Sequence, residues 1–326
     1  LSAIARWEPA VVLAIASLLD YLIGDPWNWL HPVQVIGWSI QHYSQFVLQR
    51  WQHPRILKLW GVVLAIGIPG LSGLATWLIV FVARSLHPIL GIATESISLA
   101  SCFAGRSLRR SAQDVLKPLL AGDLSTARTQ LSLYVGRDTA QLSQPEIFRA
   151  ILETVTENAT DGVFAPLFYA IVGAFLPIGS APLAMTYKAF STLDSMVGYR
   201  EAPYTDLGWC SARLEDLLTW IPCRLNVLTL SLLSGKPLRV WQICQRDAPQ
   251  DPSPNAGWSE CAYAAILGVQ MGGVNHYKGV VKSKPLLGDA TRSITPQTLE
   301  QAMSLTRTCF LIWLAVALAT FAIQAA

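Results

Sequence analysis

The stretch Glu146–Tyr169, EIFRAILETVTENATDGVFAPLFY, begins as a polar helix and ends as an apolar run. At about 100° per residue, Glu146, Glu153, Glu157 and Asp161 fall on one stripe, with Arg149 at its edge and Thr160 beside it. Acids stacked four apart repel by about 0.2–0.5 kcal/mol per pair. The stripe is therefore expected to meet a cation or a basic partner; the bland alternative is a solvated face. Its continuation, VFAPLFYAIVGAFL over 163–176, belongs in a core or a bilayer.

Composition points the same way. Of 326 residues, 52% are hydrophobic and only 14% charged, where a soluble domain carries about 25% charged residues. The class read from this is all-α: a polytopic integral membrane helical protein with polar helical and loop segments between its apolar runs. Trp27, Trp29, Trp60, Trp209, Trp220 and Trp258 sit at the edges of apolar runs, where amphipathic rings suit a headgroup zone. A net charge of +3 gives no case for nucleic acid. Cys102, Cys210, Cys223, Cys244, Cys261 and Cys309 show no C-x-x-C pair and read as free thiols.

Along the chain, candidate membrane segments are 9–24, 59–83, 86–104, 162–186, 214–233 and 305–323, within one membrane domain over 1–326. The first lacks a signal peptide's basic start and cleavage site and is expected to stay attached. Arg50, Arg55 and Lys58 before the second put that end in the cytoplasm. Glu95 makes 86–104 either a span with a buried acid or a surface helix. The stretch 162–186, broken at Pro177-Ile178-Gly179, is expected to dip in and return or to lie in the interface, which keeps the flanking polar segments on one face. Those segments are 105–160, 187–213 and 234–304. Asp123 should cap a helix, Pro145 should sit in another's first turn, and the small-residue helix after Trp258 is expected to end at Gly272-Gly273. Asp20, Asp25 and His31 form either a binding loop or interfacial turn chemistry.

No P-loop, dinucleotide fingerprint or H-E-x-x-H occurs. What the chain does carry is a set of polar strings: GDPWNWLHPV (24–33), AGRSLRRSA (104–112), VGRDT (135–139), ETVTENATDG (153–162), YKAFSTLDSMVGYR (187–200), SARLEDL (211–217), RDAPQDPSPNAGW (246–258) and VNHYKG (274–279). From end to end the set resembles the cobalamin-biosynthesis membrane proteins known as adenosylcobinamide-phosphate synthases. Ser191 stands where the family pattern has Asn, and His276 where an aromatic is commoner. The resemblance implies a multi-pass membrane ligase of vitamin B12 synthesis that uses ATP to join adenosylcobyric acid to (R)-1-aminopropan-2-ol phosphate.

That chemistry sets requirements of its own. A carboxylate does not accept an amine at neutral pH, so ATP must first make it an acyl phosphate, and several anions must lie close together. Mg²⁺ and basic side chains are expected to hold them. Glu153, Glu157 and Asp161 are the expected metal ligands and, with Asn158, Lys188 and Asp194, the catalytic candidates. Arg106, Arg109, Arg137, Asp138, Arg200, Asp247, Asp251, Asn255, Asn275 and Lys278 are the substrate-binding candidates. Trp258, Trp209, Tyr199, Tyr204 and Tyr277 offer flat faces to a corrinoid, or anchor the interface. The rivals are a transporter, with Asp20 and Glu95 lining a path past helices broken at Pro69 and Pro177, and a scaffold for other corrinoid-pathway enzymes. A homo-oligomer is compatible with each.

Overall fold

A computed structural model describes residues 2–24 and 31–325 of the chain. Asp25, Pro26, Trp27 and Trp29 lie outside the described residues. Among the described residues, four helical segments are long and apolar enough to cross a membrane: Pro54–Leu86, Pro88–Leu120, Trp209–Leu233 and Pro296–Gln324. These are the mark of a multi-pass membrane protein. The chain divides into two compact units, one of Leu1–Arg106, Ala165–Thr219 and Ile312–Ala326, the other of Ser107–Phe164 and Trp220–Leu311.

In the first unit run α1 (Ser2–Leu22), α2 (Pro32–Arg50), α3 (Pro54–Leu86) and α4 (Pro88–Ala100); α5 (Gly105–Leu120) starts there. Prolines open α2, α3 and α4, where a missing N–H costs nothing, and His31, His53 and His87 cap them through Nδ1. Two further helices, labelled α8 (Ala165–Ala174) and α9 (Ser180–Val197) in chain order, flank the expected break at 177–179. Ten residues of α8 rise about 15 Å, half a bilayer's hydrocarbon thickness. α9 packs against α1, α2, α3, α4 and α8. Its buried Ala181, Ala184 and Ala189 let those helices approach closely.

Both acids in apolar surroundings prove to be caps. Glu95, in α4, is 5% exposed; its Oε1 accepts from Ser180 N–H at 3.0 Å at the start of α9, and its Oε2 pairs with Arg84 at 2.7 Å. Asp20 accepts from Arg106 N–H at the start of α5 at 3.4 Å. A carboxylate at a helix N-terminus meets unsatisfied N–H groups and the positive end of the helix dipole.

The second unit contains the rest of α5, α6 (Leu124–Leu131) and α7 (Gln144–Ala159), then a π-turn over Thr160–Phe164. Asp123 caps α6 through Thr126 N–H at 2.9 Å. Ser143 and Glu146 form a capping box on α7, with Pro145 in its first turn. After α10 (Trp209–Leu233), which belongs in part to each unit, come α11 (Pro237–Asp247), a single 3₁₀ turn at Ala248–Gln250 and α12 (Ala256–Leu267). α13 (Pro296–Ala325) is likewise shared between the units.

α12 is the second unit's core. Cys261, Ala262, Tyr263 and Ala264 are fully buried, and the helix packs on α7, on α11 and on two strands. The buried Tyr263 hydroxyl shares a hydrogen bond with Thr306 Oγ1 at 2.6 Å. Ser259 joins α12 to the end of α7, donating to the Thr156 carbonyl at 2.6 Å and accepting from Thr160 Oγ1 at 2.9 Å. A side chain inserted into the helical ladder is one cause of the π-turn that follows.

The two strands are an addition to the all-helical expectation. β1 (Met271–Tyr277) and β2 (Val280–Leu287) form an antiparallel hairpin. α12 ends at Leu267 with Gly268 as its left-handed cap, at φ 64, so the expected stop at Gly272-Gly273 is corrected. Gly272 lies instead in β1 at φ 87, where a Cβ would collide with the Pro285 carbonyl oxygen. Lys278-Gly279 make the two-residue turn, with φ 52 and 78, the geometry of a type I′ hairpin.

Candidate functional site

Glu153 sits in the middle of α7 with no exposed surface. Its Oε2 takes a short hydrogen bond from Arg137 Nη2, and its Oε1 accepts from Arg149 Nη1 at 3.1 Å and from Gly272 N–H at 2.9 Å. Arg149 lies one turn back on α7 and also donates to the carbonyls of Gly272 and Val274. Helix α7 and strand β1 are thus joined through charge-assisted hydrogen bonds.

Asn275, 2% exposed, completes this cluster. Its Oδ1 accepts from Arg137 Nη1 and Arg149 Nη2, each at 3.0 Å. Two guanidinium donors on one amide atom fix the amide's orientation. Its Nδ2 is left buried without an acceptor, which costs about 1–3 kcal/mol.

A second cluster lies on the facing helix. Glu260 of α12, 1% exposed, has Lys284 Nζ of β2 at 3.6 Å, and its Oε1 makes no hydrogen bond. Burial pushes the Glu260 carboxyl well above the usual range, with Lys284 pulling it back and Glu157, Glu153 and Asp251 pushing it further. Burial opposes the charge on Lys284, but Glu260, Glu157, Glu153 and Asp251 hold its proton more firmly than usual. Four acids therefore share the field of one ammonium, with Glu157 and Asp251 partly open to solvent. Neither Glu260 nor Lys284 is among the residues expected from the sequence: Glu260 is a lone acid in an apolar helix, and Lys284 lies on a strand within a segment read only as polar. Tyr277-Lys278-Gly279 followed by paired valines is the signal that would have found the hairpin.

The other candidates separate by unit. Arg106, Lys188, Asp194 and Arg200 belong to the first. Arg106 Nη1 donates to the Tyr21 carbonyl at 2.9 Å, Lys188 and Asp194 are half-buried on α9, and Arg200 is exposed. Arg109, Arg137, Asp138, Glu153, Glu157, Asn158, Asp161, Asp247, Asp251, Asn255, Asn275 and Lys278 belong to the second. Asn158 is exposed and donates to the Thr154 carbonyl at 2.8 Å. Asp161 lies in the π-turn, off a strict α-helical stripe. Asp247 accepts from Arg246 Nε at 2.6 Å and Gly288 N–H at 2.9 Å, which fastens β2 to α11. Asn255 Oδ1 faces Arg224 Nη1 at 3.4 Å, and that guanidinium lies 4.3 Å from the Trp258 ring centre. One face of Trp258 is thereby covered.

Asp138 clamps the hairpin turn, accepting from Lys278 N–H at 3.0 Å and Gly279 N–H at 2.8 Å while its own N–H donates to the His276 carbonyl at 2.7 Å. The Gly279 and Lys278 N–H groups hold its carboxyl below the ordinary value. A carboxyl that ionises more readily folded than unfolded contributes at neutral pH and loses that contribution as pH falls through its folded-state value. Asp138→Asn is expected to speed exchange of the Lys278 and Gly279 amides about tenfold at neutral pH, a loosening that the native protein shows only in acid. Equal protection in the variant at neutral pH would count against the clamp.

Among the described residues, no group of three or more His, Cys, Asp and Glu is placed to hold a metal ion. Glu153 does not fit that task, because both its oxygens are engaged by arginines. Glu157 fits better, since it is partly exposed and Mg²⁺ needs only one or two carboxylates beside phosphate oxygens and water.

Residues 13–306 match the family model described as CobD/Cbib protein. Cobalamin biosynthesis protein CobD of Synechocystis sp. is 53% identical over 317 residues, 97% of this chain and 93% of that protein. Cobalamin biosynthesis protein CbiB of Salmonella typhi is 41% identical over 309 residues, 94% of this chain and 93% of its own. No solved structure matches. Similarity at this level along nearly the whole length, on a helical chain with membrane-length spans, places the protein in the CobD/CbiB family of cobalamin biosynthesis proteins.

Proposed function

We propose that the chain is an acid–amine ligase of cobalamin synthesis, joining adenosylcobyric acid to (R)-1-aminopropan-2-ol phosphate at the expense of ATP. The observation that carries the reading, beside family membership, is the pairing of Arg137 and Arg149 with buried Glu153 and of Lys284 with buried Glu260 in one unit, with the partly exposed Glu157 and Asp251 in the same electrostatic field. A scaffold needs no such assembly. A transporter reading loses its two path-lining acids, since Asp20 and Glu95 are occupied as helix caps.

In this reading the guanidinium groups of Arg137 and Arg149 orient phosphoryl oxygens, and Lys284 offsets charge as phosphate leaves. Glu157, with Asp161, would hold Mg²⁺ delivered with the nucleotide, which supplies charge neutralisation on the phosphoryl oxygens. The corrinoid carboxylate oxygen first forms a bond to the terminal phosphorus of ATP as the bond from that phosphorus to ADP breaks and ADP leaves; the amine nitrogen then forms the new bond to the carbonyl carbon of the acyl phosphate. The bond from that carbon to the phosphate oxygen breaks, phosphate leaves with the electron pair, and the ammonium gives up its protons to the site and solvent. Arg50 at the end of α2 and Arg55 and Lys58 in the first turns of α3 support a cytoplasmic location for that end of α3 in a cell-membrane protein, and the ligase reading puts the site on the side where ATP is.

The purified protein in lipid vesicles is expected to release ADP and phosphate only when both the corrinoid acid and the aminoalcohol phosphate are present. ATP consumption indifferent to the amine, or corrinoid uptake into vesicles with no ATP consumed, would overturn the ligase in favour of the transporter.

A further inference from the structure

The cluster around Glu153 leaves one buried donor, the Asn275 side-chain NH₂, without an acceptor. Two guanidinium groups share one carboxylate and one amide oxygen. The Asn275 amide beside them turns its oxygen to both arginines and leaves its NH₂ group buried with no acceptor. Glu153 already spends its two oxygens on Arg137, Arg149 and Gly272 N–H, whereas a phosphoryl group would bring three further oxygens, enough to take the Asn275 donor and one edge of each fork.

We propose that Arg137, Arg149 and the Asn275 side-chain NH₂ form the seat of a terminal phosphoryl group, with Glu153 as the internal counter-ion that holds both guanidiniums ready. This rests on the ligase reading and names the part of its site that recognises phosphate. The seat is covered, because Asn275 and Glu153 are buried. Opening it requires a shift of β1, which Arg149 and Asp138 tether through its carbonyls and its turn. Gly272 and Gly273, both at positive φ, are the positions where that strand departs from regular extended backbone. Glu153 therefore acts through the arginines, as a positioning residue.

The decisive variant is Asn275→Asp. It keeps the oxygen that both arginines need, replaces the orphan donor by a second oxygen and adds a negative charge where the phosphoryl group would sit. Thermal unfolding of the full-length protein in detergent, with inorganic phosphate as probe and chloride at matched ionic strength as control, is expected to show stabilisation by phosphate in the native protein and none in the variant. In turnover, Asn275→Asp should raise KM at least 30-fold for one phosphate-bearing substrate; separate titrations of the aminoalcohol phosphate and of ATP identify which one owns the seat. Asn275→Ala removes the donor without adding charge and should show a smaller loss of the same kind; it carries the test if Asn275→Asp fails to accumulate in membranes.

A variant that keeps the phosphate response and both KM values overturns the seat. So does a loss of kcat with no change in either KM, which is the pattern of a structural residue. Phosphate stabilisation lost in Asn275→Asp, from a native protein with no ligase turnover, would leave the seat standing and sink the ligase reading instead.

Discussion

Glu153→Ala is expected to destabilise the protein by about 3–5 kcal/mol, because it strands two arginines as uncompensated charge in a dry interior. Arg137 and Arg149 side chains are only 6% and 15% exposed, so water cannot replace the lost carboxylate without opening the contact between α7 and β1. Gly272 N–H loses its acceptor in the same step. The apparent Tm in detergent should fall by roughly 10 °C or more, with limited proteolysis first cutting the hairpin. Glu153→Gln should fall between the two, since the amide oxygen still accepts one guanidinium. The experiment separates two roles for this acid. A metal ligand replaced by Ala relieves repulsion in the metal-free protein and makes Tm insensitive to Mg²⁺, whereas a counter-ion replaced by Ala lowers Tm whatever the Mg²⁺ concentration. A Tm within a couple of degrees of the native value would exclude the counter-ion role.

How much of this was legible beforehand follows from the range of each interaction. The spans are local sums of hydropathy over about 20 residues, and Leu59–Ala83 lies inside α3 as expected. The Asp123 cap, the Pro145 start and the break before Ser180 are written in neighbouring residues and appear where expected. Partnership is a different matter. The stripe on α7 signalled a need for positive charge, but nothing in its spacing could say that Arg137 and the strand bearing Asn275 would meet Glu153. Glu146 matched the same stripe and is spent on capping Ser143. The glycine pair shows how a correct local signal misleads: two glycines after an apolar helix read as a stop, yet the stop is Gly268 and the pair belongs to a strand. Glu260 was invisible because a single acid in SECAYAAIL has no periodicity; only the fold reveals that Lys284 reaches it.

Glu157→Gln is the change expected to remove most of the activity while sparing the fold. Unlike Glu153, this side chain is partly exposed, and exchanging its charge for an amide leaves Lys284 its closer partner Glu260. It neighbours Glu260 and Lys284 and lies one turn beyond Glu153, at the edge of the proposed phosphoryl seat. In the proposed ligase a carboxylate there anchors Mg²⁺ against phosphate oxygens, and charge stabilisation of a transferring phosphoryl group is typically worth several kcal/mol. The variant should insert normally, keep the native Tm within a few degrees and lose about 100-fold or more in kcat. Because a weakened site still binds the ion at higher concentration, raising Mg²⁺ should restore part of the rate. Asp161→Asn tests the second ligand in the same way, and its smaller expected loss follows from its place in the π-turn, off the stripe that carries Glu157. Near-native turnover and Mg²⁺ dependence in both variants would make the outer part of the stripe a solvated face. The cation would then have to be sought beside Asp251, the remaining partly exposed acid near Glu260, since Asp247 is already held by Arg246 and Gly288.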